Sequence, residues 1–126
     1  MRMLFLVLFI VSYSSPALAQ KKTIDKKFIL ANGFMVSGII FDVESTYLCT
    51  STGKCREANP LMRPLLDKGR PTMYAVQGAF AGLIIYSSYD LKRGGSKIWW
   101  LLPVIAGTAH AIVGANNMRI FVNISR

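Results

Sequence analysis

Residues 28–49 read FILANGFMVSGIIFDVESTYLC. From Phe28 to Phe41 no residue is charged, and the first acidic side chains, Asp42 and Glu44, come only near the far end. At about 1.5 Å per residue the stretch rises roughly 33 Å, enough to cross a hydrocarbon layer of about 30 Å. A soluble amphipathic helix would place charge on every turn, and this one does not. The stretch is therefore read as a transmembrane helix. Its polar end has a face of its own: Asp42, Ser45 and Thr46 fall at i, i+3 and i+4, with Gly38 beside them.

Two further apolar runs follow, at 72–91 and 98–118. Between the first and second lies a connector, 50–71, rich in charge, Gly and Pro. Inside it, Asn59-Pro60 reads as an N-cap followed by Pro at the first helical position. Leu61, Met62, Leu65 and Leu66 then make one apolar face, and Gly69 sits at a stop position, so a short interfacial helix is expected over 60–68. A tight basic turn, 92–97, contains Gly94-Gly95, and Trp99-Trp100 opens the third run like an interfacial aromatic belt. The expected fold is all-α: a single domain at 28–118 of three transmembrane helices plus the short helix, with a C-terminal tail at 119–126. In the 126-residue chain, hydrophobic residues make up 52% and charged residues 17%, with a mean hydropathy of +0.39, and most of the charge lies between the runs. That segregation excludes an ordinary soluble domain.

Upstream, residues 1–19 read as a secretory signal peptide: Arg2, an apolar segment from Leu4 to Val11, a polar break, then Ala17-Leu18-Ala19 before Gln20. Residues 20–27 form a basic collar. The formal net charge is +9, but Lys and Arg flank apolar runs and make no basic face with interleaved aromatics. Anchoring to anionic headgroups of the lipid bilayer is expected, and no nucleic-acid partner. No Gly-rich phosphate loop and no serine-nucleophile motif is present. The location implied is a membrane, multi-pass.

The polar residues inside the runs align in depth. Consecutive spans put the end of the first, the start of the second and the end of the third on one membrane side. Asp42, Gln77 and His110 therefore lie at similar depth, and Glu57 and Asn59 of the connector reach the same side. His110, Gly114 and Asn117 share a face at i, i+4 and i+7. Buried ionisable groups in a membrane are costly and mark candidate sites. Small residues line two faces, Gly78 with Gly82 and Gly107 with Ala111 and Gly114, which permits close helix contact within the chain. Gly78 and Gly82 are alternatively the surface for a homo-oligomer or another membrane partner.

Asp42-x-x-x-Thr46, then Glu57-x-Asn59-Pro60-Leu61-Met62, then a third helix carrying His110 and Asn116-Asn117, resembles a family of small bacterial membrane proteins catalogued as a domain of unknown function. The recurring marks of that family are the Asp-x-x-x-Thr helix and the Glu-x-Asn-Pro connector, and the resemblance covers roughly residues 28–118. It implies a helical membrane domain of bacterial type, hence the bacterial inner (cytoplasmic) membrane, and carries no activity, substrate or cofactor. The signal segment and the pair Cys49 and Cys55 stand outside the family pattern.

Two functions compete for the cluster of Asp42, Thr46, Asn59, Gln77, His110 and Asn117. The leading one is a hydrogen-bonded lock, with a role in assembly: Asp42 bonds Thr46, and His110 bonds Asn117 or a backbone carbonyl. The alternative is an intramembrane enzyme or ion-binding protein. In it Asp42, Glu57 and His110 hold a divalent metal or move protons. Glu57 also reads as a capping residue before Asn59-Pro60 or a partner of Arg56 or Arg63. Glu44 points away from Asp42, toward the interface or another helix. Cys49 and Cys55 are disulfide candidates in an oxidising compartment. A cleaved signal, however, leaves the collar outside and the connector in the cytoplasm. Lys and Arg counts of seven on each side leave that placement to the signal.

Overall fold

The computed structural model describes residues 22–53, 55–57 and 59–124. Among these the chain is helical without strands: α1 spans Lys26–Ser51, α2 Arg63–Asp67, α3 Arg70–Arg93 and α4 Leu101–Ile124. The signal at 1–19 lies outside the described residues. Of the described helices only α1 is both long and apolar enough to cross a membrane by composition; α3 and α4 fall short of that apolarity.

Each boundary has a local cause. Asp25 starts α1 by accepting from the backbone N–H of Phe28 at 2.9 Å. The other end frays through hydroxyls that bond back to the helix, Thr50 to the carbonyl of Thr46 at 2.8 Å and Ser51 to that of Leu48 at 2.7 Å. Gly53 then turns the chain at φ 70°. The expected helix at 60–68 is shorter: residues 60–62 form a turn, and α2 begins at Arg63 with Pro64 in its first turn. The third long helix differs at both ends. Ile98, Trp99 and Trp100 lie before it, and it runs on past 118 to Ile124, taking in most of the expected tail. Residues 119–124 include Ile120, Phe121 and Val122, which continue the apolar character of the helix and remove any reason to stop at Met118.

α4 lies along α1 and makes the main contact of the bundle, while α3 touches both more sparsely. Glycine sets the α1–α4 approach. A Cβ built on Gly38 would stand 2.6 Å from the carbonyl oxygen of Gly107, and one on Gly114 would stand 2.5 Å from the ring of Phe41. The Gly107 and Gly114 face thus packs as expected. Gly78 and Gly82 do not: a Cβ on either meets nothing within 4 Å. α3 turns that face outward, because its contacts run through Met73, Gln77, Ala81 and Ser88 instead.

Polar side chains share the interior with apolar ones, and many large apolar side chains stay outside. Buried positions include Asn32, Ser45, Thr46, Gln77 and Ser88, whereas Leu30, Leu83, Ile105 and Ile112 are among the exposed ones. The core cluster itself is small: Met35, Ile39, Val43, Met73 and Ala81. At the collar end, Lys92 forms an ion pair with Asp25 and lies 4.4 Å from the centroid of the Trp99 ring. Trp99 is buried against Phe28, ring centroids 5.7 Å apart, so of the expected belt only Trp100 stays substantially exposed. The Lys92 ammonium, followed by the N–H of Phe28, holds the Asp25 carboxyl below its usual 3.8.

Candidate functional site

α1 and α4 bring the polar cluster together. His110 Nδ1 lies 2.6 Å from Asp42 Oδ2, and Thr46 Oγ1 donates to Asp42 Oδ1 at 3.4 Å. One to two turns further on, Asn117 Nδ2 donates to Thr46 Oγ1 at 2.9 Å and to Ser45 Oγ at 3.4 Å. Ser45 in turn donates to the carbonyl of Asp42 at 3.0 Å. The five side chains form one connected network across the two helices.

The pairing differs from the expected one. His110 bonds Asp42, not Asn117 or a carbonyl. Seven residues along a helix amount to about 10 Å of rise, beyond any hydrogen bond between His110 and Asn117. The facing helix is closer, because Gly38 and Gly107 let the backbones approach a turn away from both members of the pair. Asp42 and His110 are largely buried, with side-chain exposures of 14% and 25%. His110 Nε2 has no partner among the described residues.

The connector is built as a cap. Asn59 Oδ1 accepts from the N–H of Leu61 at 3.0 Å, and Glu57 Oε1 accepts from the N–H of Asn59 at 2.9 Å. Arg63 Nε donates to the carbonyl of Glu57 at 2.7 Å. Asn59 therefore closes the turn at 60–62 and is not the N-cap of α2, which is Met62 without a side-chain bond, because the helix begins three residues later than expected; Glu57 bonds the N–H of Asn59, and its link to Arg63 runs through the Glu57 main chain. Cys49 and Cys55 are joined in a disulfide with Cα atoms 5.4 Å apart, which ties the end of α1 to the residue two before Glu57.

A cavity of about 200 Å³ lies where these parts meet, with Asp42, Thr46, Glu57, Asn59, Gln77 and His110 on its polar side. Val43, Met62, Met73 and Val113 complete it. Gln77 is buried and has no hydrogen-bond partner among the described residues. Asp42, Glu57 and His110 line one cavity. Among the described residues no three His, Cys, Asp or Glu side chains are grouped to hold an ion. Glu57 Oε1 is engaged by the N–H of Asn59, and Asp42 Oδ2 by His110.

A second network lies on the neighbouring face of α1, where Glu44 meets another helix, one of its two expected placements, through partners the sequence did not name. Glu44 faces α3, where Tyr74 Oη donates to its Oε1 at 2.8 Å and Arg70 Nε lies 3.3 Å away. Arg70 also stacks over the Tyr47 ring, and Tyr47 Oη donates to the carbonyl of Leu66 at 3.2 Å. The available signal was the i, i+3 spacing of Glu44 and Tyr47, which puts both on one side of α1.

A family profile described as a domain of unknown function (DUF5658) matches residues 33–123. The chain belongs to the DUF5658 family. No curated protein and no solved structure matches it. The DUF5658 region contains every residue of the Asp42–His110–Asn117 network, the capped connector, the disulfide and the cavity lining. It leaves out Asp25 and Phe28, so the cluster at the collar end rests partly on residues before the matched region.

Proposed function

We propose that this DUF5658 chain is a small integral membrane protein of bacterial inner-membrane type, in which α1, α3 and α4 all cross the bilayer. Its connector lies on the oxidising side. The Asp42–His110 and Thr46–Asn117 bonds act as a lock that holds α4 against α1. The open face of α3, with Gly78 and Gly82, is then the surface offered to a second copy or another membrane protein. The observation that carries this reading is where large apolar side chains sit: Leu30, Leu83, Ile105 and Ile112 are outside, while Ser45, Thr46 and Gln77 are among the buried residues. In water those apolar side chains would be costly to expose, and in lipid they are in their own solvent.

The lock also has a reason in lipid. Helices there gain nothing from hiding apolar surface from one another, so close packing and interhelical hydrogen bonds must supply the association. Both occur here along one seam, Gly38 against Gly107 followed by Asp42 against His110 and Thr46 against Asn117. The test is alkaline extraction of membranes from cells making the full chain, with His110→Ala alongside. The parent is expected to stay with the bilayer, and the variant to stay there too but unfold earlier in detergent. Release of the parent into the soluble fraction overturns the membrane reading; an unchanged unfolding midpoint for the variant overturns the lock.

A further inference from the structure

We propose that the cavity between α1, α3, α4 and the connector binds a protonated primary amine, supplied either by an ethanolamine phospholipid headgroup or by a small free amine. The first support is the balance of donors and acceptors. Among the described residues the lining contains two carboxylates, Asp42 and Glu57, and neither Lys nor Arg. An ammonium group has three donors and no acceptor, so it needs such a wall, whereas an anion would face both carboxylates. Asp42 has its two oxygens engaged by His110 and Thr46. Glu57 spends Oε1 on the N–H of Asn59, and its other oxygen has no partner among the described residues.

The second support is Gln77. It is 5% exposed, it lines the cavity, and its amide makes no hydrogen bond among the described residues. Buried polar groups are nearly always paired, and a buried amide at a cavity wall is matched by whatever occupies the cavity. The amide oxygen of Gln77 and the free oxygen of Glu57 provide two acceptors from two different elements of the lining, α3 and the connector. At about 200 Å³ the space exceeds what a single water occupies, about 30 Å³ in the liquid. The remaining wall, Val43, Met62, Met73 and Val113, is apolar and suits the short carbon chain that carries the amine. The lipid source, but not the free amine, rests on the membrane reading above.

The test uses the full chain with Asp42 and His110 left intact, so the lock is not touched. Ethanolamine hydrochloride is titrated against the detergent-purified protein by calorimetry, with sodium acetate at equal ionic strength as the control. In parallel, native mass spectrometry reads which lipid stays bound from nanodiscs of phosphatidylethanolamine mixed with phosphatidylcholine. Glu57→Gln and Gln77→Leu are measured alongside. Saturable ethanolamine binding without an acetate response is expected. Each variant should weaken it about tenfold or more, as loss of a hydrogen bond to a charged group implies. Retained phosphatidylethanolamine identifies the lipid as the source, and ethanolamine binding without lipid retention identifies a free amine. Absence of both from the parent overturns the proposal, as does undiminished binding in a folded variant. If one variant fails to fold, the other decides. His110→Ala unfolding reports on the lock separately, so failure of the lock is not mistaken for failure of the site.

Discussion

Gly38→Ala adds one methyl group at the tightest point of the bundle. The new Cβ would lie 2.6 Å from the carbonyl oxygen of Gly107 and 3.3 Å from its Cα. Both are backbone atoms, so no side chain can swing away and the helices themselves must part. Restoring an ordinary contact of 3.4 Å from 2.6 Å needs 0.8 Å of separation, and overpacking of this kind costs about 1–3 kcal/mol. The movement also reaches the lock, since Asp42 is four residues from Gly38 and His110 three from Gly107. A further 0.8 Å takes the Thr46–Asn117 bond from 2.9 Å to about 3.7 Å, outside hydrogen-bond range. Interhelical bonds in membranes average about 0.6 kcal/mol, so the total loss is about 2–4 kcal/mol. Equilibrium unfolding in mixed micelles, followed by circular dichroism, measures it. Gly78→Ala is the internal control, because its Cβ meets nothing within 4 Å. It should stay within about 0.5 kcal/mol of the parent or gain slightly from helix propensity. The reasoning also requires non-additivity: Asn117→Val should cost less in the Gly38→Ala background than alone. A stable Gly38→Ala protein, or strict additivity, would refute the claim that the glycine contact sets the lock.

Asn117→Val alone removes two donated bonds and should destabilise by about 1 kcal/mol in the same assay; no change would mean the network is incidental. Ser88→Ala should be neutral or stabilising by up to about 1 kcal/mol, because the Ser88 hydroxyl is fully buried with no partner among the described residues. Asp25 is held below its usual 3.8 in the folded protein, so its contribution is present above that value and is lost as pH falls through the lowered one. In Lys92→Met, an acid titration of the unfolding midpoint should show that loss much reduced; an unchanged acid limb counts against the ion pair. The Cys49–Cys55 bond closes a short loop and should be worth about 2 kcal/mol. Protein purified without reductant should resist alkylation until reduced, and free thiols at that stage would contradict the bond.

Much of the architecture was legible because it follows from one-dimensional pattern. Three apolar runs separated by charged or glycine-rich turns fix the number and order of long helices, and alternating direction fixes which ends share a side. The common depth of Asp42, Gln77 and His110 followed from that alone, and all three line the same cavity. Partners within the cluster were less legible. Helical spacing says which residues share a face, but rotation about each helix axis is set by packing. Rotation put His110 opposite Asp42 and turned Gly78 and Gly82 outward, although their spacing is as good a contact signal as that of Gly107 and Gly114. The Asp25–Lys92–Trp99 group was invisible for a related reason. Its members belong to a collar and a turn, where no periodicity exists to point one residue at another.

The disulfide bears on orientation more strongly than the charge count does. On the proposed membrane reading, α1 crosses once between the collar and the connector, which puts the two on opposite sides. A cleaved signal puts the collar outside, and a persistent disulfide puts the connector outside, and both cannot hold. The equal count of Lys and Arg on the two sides leaves the choice between these premises. The disulfide joins two residues of the folded domain, with Cα atoms at a separation ordinary for such bonds, and it fastens the strand that presents Glu57 to the cavity. Reduction would release that strand from α1 and leave Glu57 held only through Asn59 and Arg63. On the proposed reading with the connector outside, Lys22, Lys26, Lys27 and the basic turn at 92–97 would face the anionic cytoplasmic leaflet, where each such charge gains about 1 kcal/mol near the surface. The Asp25–Lys92 pair, packed beside Trp99, would then belong to that headgroup level, at the end of the bundle away from the connector.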